Sequence, residues 1–218
     1  MSIHDLDDDR TRALALTPVS RETRARLDRF VALLLKRQAI TNLIAASTIP
    51  IVWSRHIADS LQLLDLAPDA RIWVDLGTGG GFPGLVIACA LYGMPGRQVH
   101  LIESNGKKAA FLREAVAETG SPAVVHGVRM EKFVETFAGR PDIVTARAVS
   151  PLSSLLGQCA PLLRNGTVGL FPKGQDVEVE LTEASKCWKM TADLVPSRTD
   201  PRARIVMIRA LEPQPRVP

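Results

Sequence analysis

The sequence predicts an α/β protein: a mostly parallel sheet flanked by helices, ended by an antiparallel C-terminal hairpin and preceded by N-terminal helices. Three observations predict it. From residue 71 onward, short β-branched runs alternate with helical ones, the pattern of parallel strands joined by right-handed crossovers. The first run, "RIWV", leads into "DLGTGGGFPG" (residues 75–84), which sets five glycines at a strand-to-helix turn. The last two runs, "MTADLVP" and "ARIVMIRA", have only the polar "SRTDPR" between them, which leaves room for a hairpin loop but no helix.

The elements follow in order. Residues 1–19, with the acidic cluster Asp5 to Asp9, read as a flexible N-terminus. Leu27, Phe30, Val31, Leu34 and Leu35 recur at helical spacing, which predicts an amphipathic helix from Ser20 to Gln38. Between Arg10 and Arg37 there are eight basic residues against two acidic ones. That makes this side a candidate basic face, although a solvated helix face explains the same charges. A second helix is expected from the Ser47/Thr48 cap, with Pro50 in its first turn, to Leu66 before Pro68. Residues 20–68 thus form a helical extension and residues 69–211 the sheet domain. In that domain "RIWVDL", "QVHLIES", "AVVHG", "DIVTARA" and "GTVGLF" are strands, each followed by an amphipathic run. The Pro-rich residues 212–218 read as a frayed tail.

Composition narrows the function classes. A chain of 218 residues with 46% hydrophobic content can bury one sizeable core. The net charge of +4 leans towards a polyanionic partner. Cys89, Cys159 and Cys187 are too far apart for a CxxC site and odd in number, which excludes a disulfide framework and fits a reducing cytoplasm. No grouping of His, Cys or carboxylates has metal-ligand spacing, so no metal is expected. No apolar run approaches the roughly 18 residues of a membrane span, so the expectation is a cytoplasmic monomer without membrane contact.

The glycine loop sits where α/β sheets bind ligands, outside the carboxyl edge of the strands. Glycine allows an unusual turn and a close backbone approach, and the free amides of the next helix are expected to face an anionic moiety. Only the frame Gly79, Gly81, Gly84 fits the dinucleotide pattern, because Phe82 occupies the third position counted from Gly77. Asp75 favours a cationic ligand such as S-adenosylmethionine over a pyrophosphate. Glu103, at the end of the second strand, stands where an acid takes both ribose hydroxyls of an adenosine, in either ligand class. Each acid has a structural alternative as a helix-capping carboxylate.

Taken with the upstream "NL" and "RHIADS" and the downstream "TARAV" and "KG", this loop resembles the glucose-inhibited division protein B family, bacterial methyltransferases of guanine N7 in 16S ribosomal RNA. The resemblance runs from about Asn42 to Gly174. It implies a class I methyltransferase fold, Rossmann-like, with S-adenosylmethionine as donor. It implies that Gly77 and Phe82 hold the donor beside Asp75, Gly79 and Glu103, that Met130 and Glu131 lie along the adenine, and that Arg147 faces donor or substrate. Arg55, His56, Asp59 and Ser60, at spacings that alone indicate a surface ion pair and a half-buried imidazole, become a motif beside the donor pocket.

Position adds Arg147 and Lys173, each at a strand's carboxyl end, as candidate RNA contacts together with Arg55 and His56. His100 and His126 lie inside strand patterns and read as core-edge residues. Guanine N7 has a lone pair and no proton to lose, so no catalytic base is expected; Arg147 and Arg55 are positioning candidates. The rival functions are a nicotinamide-dependent oxidoreductase and a non-catalytic rRNA-binding protein of the same fold. The partner expected is 16S ribosomal RNA or the small ribosomal subunit.

Overall fold

A computed structural model describes residues 3–163 and 166–214. Seven strands form one sheet: β1 (Ile72–Leu76), β2 (Gln98–Ile102), β3 (Ala123–His126), β4 (Ile143–Thr145), β5 (Val168–Lys173), β6 (Trp188–Pro196) and β7 (Arg204–Pro213). Their order is β3-β2-β1-β4-β5-β7-β6. The first five pair in parallel, and β7 runs antiparallel between β5 and β6. Because β2 and β4 flank β1 on opposite sides, the order reverses at β1, and the crevice at its carboxyl end is the expected ligand position.

Side chains alternate across the sheet with period two. Trp73 faces a layer built from Leu27 and Phe30 of α2 (Arg21–Gln38), Leu85 of α4 (Gly84–Ala90) and Leu112 of α5 (Gly106–Thr119). Val74 and Leu76 face α6 (Met130–Thr136), α7 (Leu152–Cys159) and α8 (Val177–Ser185). Helix α2 starts where expected, because the Ser20 hydroxyl accepts the Thr23 N–H at 3.1 Å. Its Leu27, Phe30, Val31 and Leu34 are buried, so helical extension and sheet share one apolar layer.

Three N-terminal and C-terminal expectations change. Residues read as a flexible lead form helix α1 (Ile3–Leu16). Acidity does not keep it in solvent: Asp9 is fully buried and Ala13, Leu6 and Leu14 join the core. The helix expected from 48 to 66 is interrupted into a 3-10 turn (Ala46–Ile51), a wide π turn (Trp53–Ala58), short α3 (Asp59–Leu61) and a second 3-10 turn (Leu64–Leu66). Pro50 has no N–H, and the Asp9 carboxylate accepts the amides of Trp53 and Ser54 at 2.9 and 3.2 Å, withdrawing them from the regular ladder. The tail expected to fray from 212 carries β7 as far as Pro213; residues 215–218 lie outside the described residues.

Candidate active site

Asp75 ends up inward because it lies on β1 opposite the Val74 face, directed at the start of α4. Its side chain is 0% exposed, and its Oδ2 accepts the Gly84 N–H at 2.7 Å. A Cβ at Gly84 would come within 2.6 Å of that oxygen, so only glycine lets the helix start this close to the strand. The expected free amides facing an anion are therefore corrected: the first amide of α4 is already taken by a carboxylate. The other oxygen, Oδ1, is buried without a hydrogen-bond partner, and the nearby Thr78 hydroxyl is not in bonding geometry with it. Burial pushes the Asp75 carboxyl up to about 7, against the pull of Thr78, the Gly84 amide and Arg147.

Glu103 follows β2 directly. Its Oε2 accepts the Gly79 N–H at 3.0 Å and its Oε1 the Asn105 N–H at 2.7 Å, which ties the glycine loop to the cap of α5. Each oxygen keeps a second lone pair for a ligand. Glu103, Gly77, Met130 and Glu131 line one cavity of about 220 Å³, roofed by Val149. Gly77 has φ +68, and a Cβ there would meet Val149 Cγ2 at 2.8 Å. Gly79 has φ +58 and contributes its amide to Glu103. Phe82 lines neither this cavity nor the larger one described below; it is buried against His56, with ring centroids 4.8 Å apart, and against Phe30.

The strand expected over "DIVTARA" stops at Thr145 because the chain bends sharply after Ala146. Ala148 has φ +55, an uncommon conformation for a residue with a Cβ. Three linked contacts hold the bend. Lys173 Nζ donates to the Ser150 carbonyl at 2.9 Å and pairs with Glu180 at 2.7 Å, while the Leu152 N–H donates to the same Glu180 oxygen at 2.6 Å. Lys173, expected to meet RNA phosphate, is thus drawn inward by Glu180, and its side chain is only 10% exposed. The bend sets Val149 over Gly77 and places Arg147 at the mouth of a second cavity.

That cavity has a volume of about 400 Å³ and lies between the bend, the end of β5 and the β6–β7 loop. Val149 belongs to both cavities, so the two are neighbours. Arg147 donates to the Arg55 carbonyl at 3.0 Å, to Asp59 Oδ2 at 3.2 Å and to His56 Nδ1 at 2.6 Å, with its guanidinium 5.4 Å from the Phe82 ring centre. Since a guanidinium only donates, His56 Nδ1 must accept, and the proton sits on Nε2, which donates to Thr48 Oγ1 at 2.8 Å. Burial, with the charges of Arg147 and Arg55, brings the His56 imidazole down to about 3. His56, expected beside the RNA, is instead the buried, neutral support under Arg147, and Ser60 beneath it is held by the His56 carbonyl at 2.6 Å.

Several residues here gave no signal in the sequence. Thr199 and Gln62 both donate to Asp59 Oδ1, at 2.9 and 3.0 Å, and Asp200 lines the large cavity, yet the hairpin loop that carries Thr199 and Asp200 read only as polar. On α2 the basic face is partly used internally: Arg37 pairs with Glu114 at 2.6 Å and Arg26 lies over Tyr92. Arg21, Arg24, Arg29 and Lys36 stay exposed. Among the described residues no group of three or more His, Cys, Asp or Glu is placed to hold a metal ion, and no helix is long and apolar enough to cross a membrane.

Known proteins resemble this chain at two levels. The profile of the rRNA small subunit methyltransferase G family, GidB, matches residues 23–204. A ribosomal RNA small subunit methyltransferase G from Bradyrhizobium sp. (strain BTAi1) is 60% identical over 204 residues, covering 94% of this chain and 92% of the relative. Its namesake from Methylobacterium sp. (strain 4-46) is 53% identical, covering 93% and 96%. At the level of fold alone, the O-methyltransferase TomG of Streptomyces achromogenes, solved in complex with S-adenosylmethionine, superposes with a TM-score of 0.60 at 13% identity, covering 96% of this chain and 99% of that one.

Proposed function

The chain belongs to the rRNA small subunit methyltransferase G family, and on that premise we propose that it transfers the methyl group of S-adenosylmethionine to N7 of one guanine in bacterial 16S ribosomal RNA. It is an S-adenosylmethionine-dependent methyltransferase of class I fold. The observation that carries the choice of donor is the Asp75 carboxylate at the start of α4. A dinucleotide pyrophosphate would need the amide that Asp75 already holds and would be repelled by its charge, which disfavours the oxidoreductase reading. A cationic donor gains from the same carboxylate, whose Oδ1 has no partner of its own.

When bound, S-adenosylmethionine supplies an electrophilic methyl on a sulfonium sulfur. The chain's own residues hold and align. Glu103 accepts ribose hydroxyls, Met130 and Glu131 lie along the adenine, and the backbone of Gly77 and Gly79 approaches where no side chain intrudes. Phe82 acts indirectly, by packing the loop against His56. The target base enters the larger cavity beyond Val149, where Arg147 and Arg55 orient it, while the exposed Arg21, Arg24, Arg29 and Lys36 meet phosphate. Lys173 shapes this cavity rather than supplying a phosphate contact. No side chain is asked to remove a proton. We place the enzyme in the cytoplasm as a monomer acting on the small ribosomal subunit.

The test is to incubate the protein with methyl-labelled donor and small subunits from cells lacking the activity, then map the label. One 16S guanine labelled at N7 supports the reading. Label on an oxygen or exocyclic amine, or binding without turnover, overturns it in favour of another acceptor or of the non-catalytic alternative.

The titrating groups make a second expectation. His56, held at about 3, stays neutral across pH 6–9, so single-turnover transfer at saturating donor and RNA is expected to be flat there. Donor affinity should change instead. Asp75 carries a proton below about 7 in the free protein, and a cationic ligand favours its loss, so affinity is expected to rise as pH increases through 7. Calorimetry between pH 6 and 8.5 checks the second part; an ascending rate limb that disappears in His56→Ala would refute the first.

A further inference from the structure

Three carboxylates line the larger cavity, and they are not alike. Asp59 is satisfied on both oxygens: Oδ2 accepts from Arg55 and Arg147 at 3.4 and 3.2 Å, and Oδ1 from Gln62 and Thr199. Glu180 is neutralised by Lys173 at 2.7 Å. Asp200 takes its direct ion pair and hydrogen bonds from Arg202 of its own turn, and the charge of Arg55 across the cavity adds only a weaker attraction. That turn is "DPRA", closed by the Ala203 N–H donating to the Asp200 carbonyl at 3.0 Å, with proline second and aspartate first as a type I turn favours. The Arg202 N–H, at 2.9 Å, and the Arg202 guanidinium both engage Oδ1. The side chain is thus oriented by its own loop, and its second oxygen is not used by that loop.

Resting on the reaction assigned above, we propose that Asp200 reads the Watson–Crick edge of the target base, its carboxylate accepting from N1–H and the exocyclic amine of guanine. The layout of the cavity supports this. The wall shared with the smaller cavity is Val149 in the bend after β4, so a base presented for methylation turns N7 to that wall. N7 and the N1/N2 edge lie on opposite sides of a purine. The wall made by the β6–β7 loop, with Ser197, Asp200 and Ala203, then meets the Watson–Crick edge. A carboxylate accepts and cannot donate. Guanine offers it two donors there, whereas adenine offers a lone pair at N1 and is repelled. The Arg202 amide and guanidinium hold the Asp200 carboxyl below the ordinary carboxylate range, which keeps it ionised at neutral pH. Asp200 is in this way the residue that decides which purine is methylated.

The experiment uses small subunits reconstituted with guanine or inosine at the target position; inosine keeps N7, O6 and N1–H and lacks only the amine. The parent protein is expected to act about 10-fold more slowly on inosine in single turnover, and Asp200→Ala about 10- to 100-fold more slowly on guanine with no remaining preference between the two bases. Donor affinity should be unchanged. Asp200→Asn keeps an acceptor for the turn while presenting an amide donor to the base, so it should be as slow as Asp200→Ala without a change in melting temperature. An Asp200→Ala protein that still prefers guanine as the parent does, or an Asp200→Asn protein at parental rate, overturns the assignment while leaving the reaction intact. A parent that never methylates N7 overturns the reaction itself and this assignment with it.

Discussion

Arg147→Ala is expected to slow single-turnover methyl transfer by about 100-fold, because a misplaced acceptor loses the near-attack arrangement on which an uncatalysed lone pair depends. Affinity for the RNA should fall much less, since one arginine is a small share of the phosphate contacts. The structure also assigns this variant a cost in stability. Arg147, 13% exposed in its side chain, is one of two cations on the buried Asp59, and its removal leaves that carboxylate with the more distant Arg55, the Gln62 amide and the Thr199 hydroxyl. A loss of about 1–3 kcal/mol in unfolding free energy follows from an under-compensated buried charge. Arg147→Lys separates the two effects. One ammonium can reach Asp59 or His56 but lacks the fork that serves both together with the Arg55 carbonyl, so stability should recover more than turnover. Urea unfolding and quenched-flow transfer on the same preparations measure the pair, and equal losses of RNA affinity and turnover would reduce Arg147 to an anchor.

Glu103→Ala should weaken S-adenosylmethionine binding by about 1.5–3 kcal/mol, through lost charge-assisted hydrogen bonds to the ribose. The same carboxylate holds the Gly79 and Asn105 amides, so part of the loss will come from a looser glycine loop. Glu103→Gln keeps one carbonyl acceptor for the loop, and the difference between the two variants isolates the loop's share. Calorimetric titration with donor, next to thermal melts, is the check; unchanged affinity in folded Glu103→Ala removes Glu103 from the donor site.

The sheet was legible because its signals are local. Each strand is a short β-branched run closed by a turn residue, although which of the adjacent apolar Trp73 and Val74 faces which layer shows only in the packing. Ser20 and the Leu27-to-Leu34 spacing marked α2 in the same way. What stayed hidden depends on contacts distant in sequence. Nothing near Asp9 indicates that its carboxylate will cap amides 44 and 45 residues later, so α1 looked like solvent-exposed acid and the helix after Pro50 looked continuous. Lys173 at a strand end has the position of an RNA contact, and only the partner seven residues on, Glu180, turns it inward. Asp75 was singled out for its charge, but its bond to the Gly84 amide, which removes the anion site the glycines imply, needs the strand and helix to be in place. The β6–β7 loop read as a polar hairpin connection and no more, since Thr199 and Asp200 are ordinary turn residues until the fold brings them to Asp59 and the cavity.

The Asp9 cap ties the opening of one region to another. The amides of Trp53 and Ser54 are held by the Asp9 carboxylate, and Asp9 is carried by α1, whose Ala13 is buried in the core. Undocking of the first helix is therefore expected to loosen the π turn with it, so that the Trp53 and Ser54 amides lose hydrogen-exchange protection together. The next turn of that segment carries Arg55 and His56, the groups on which Arg147 rests. The first helix thus supports the guanidinium at second hand, although none of its described residues lines either cavity.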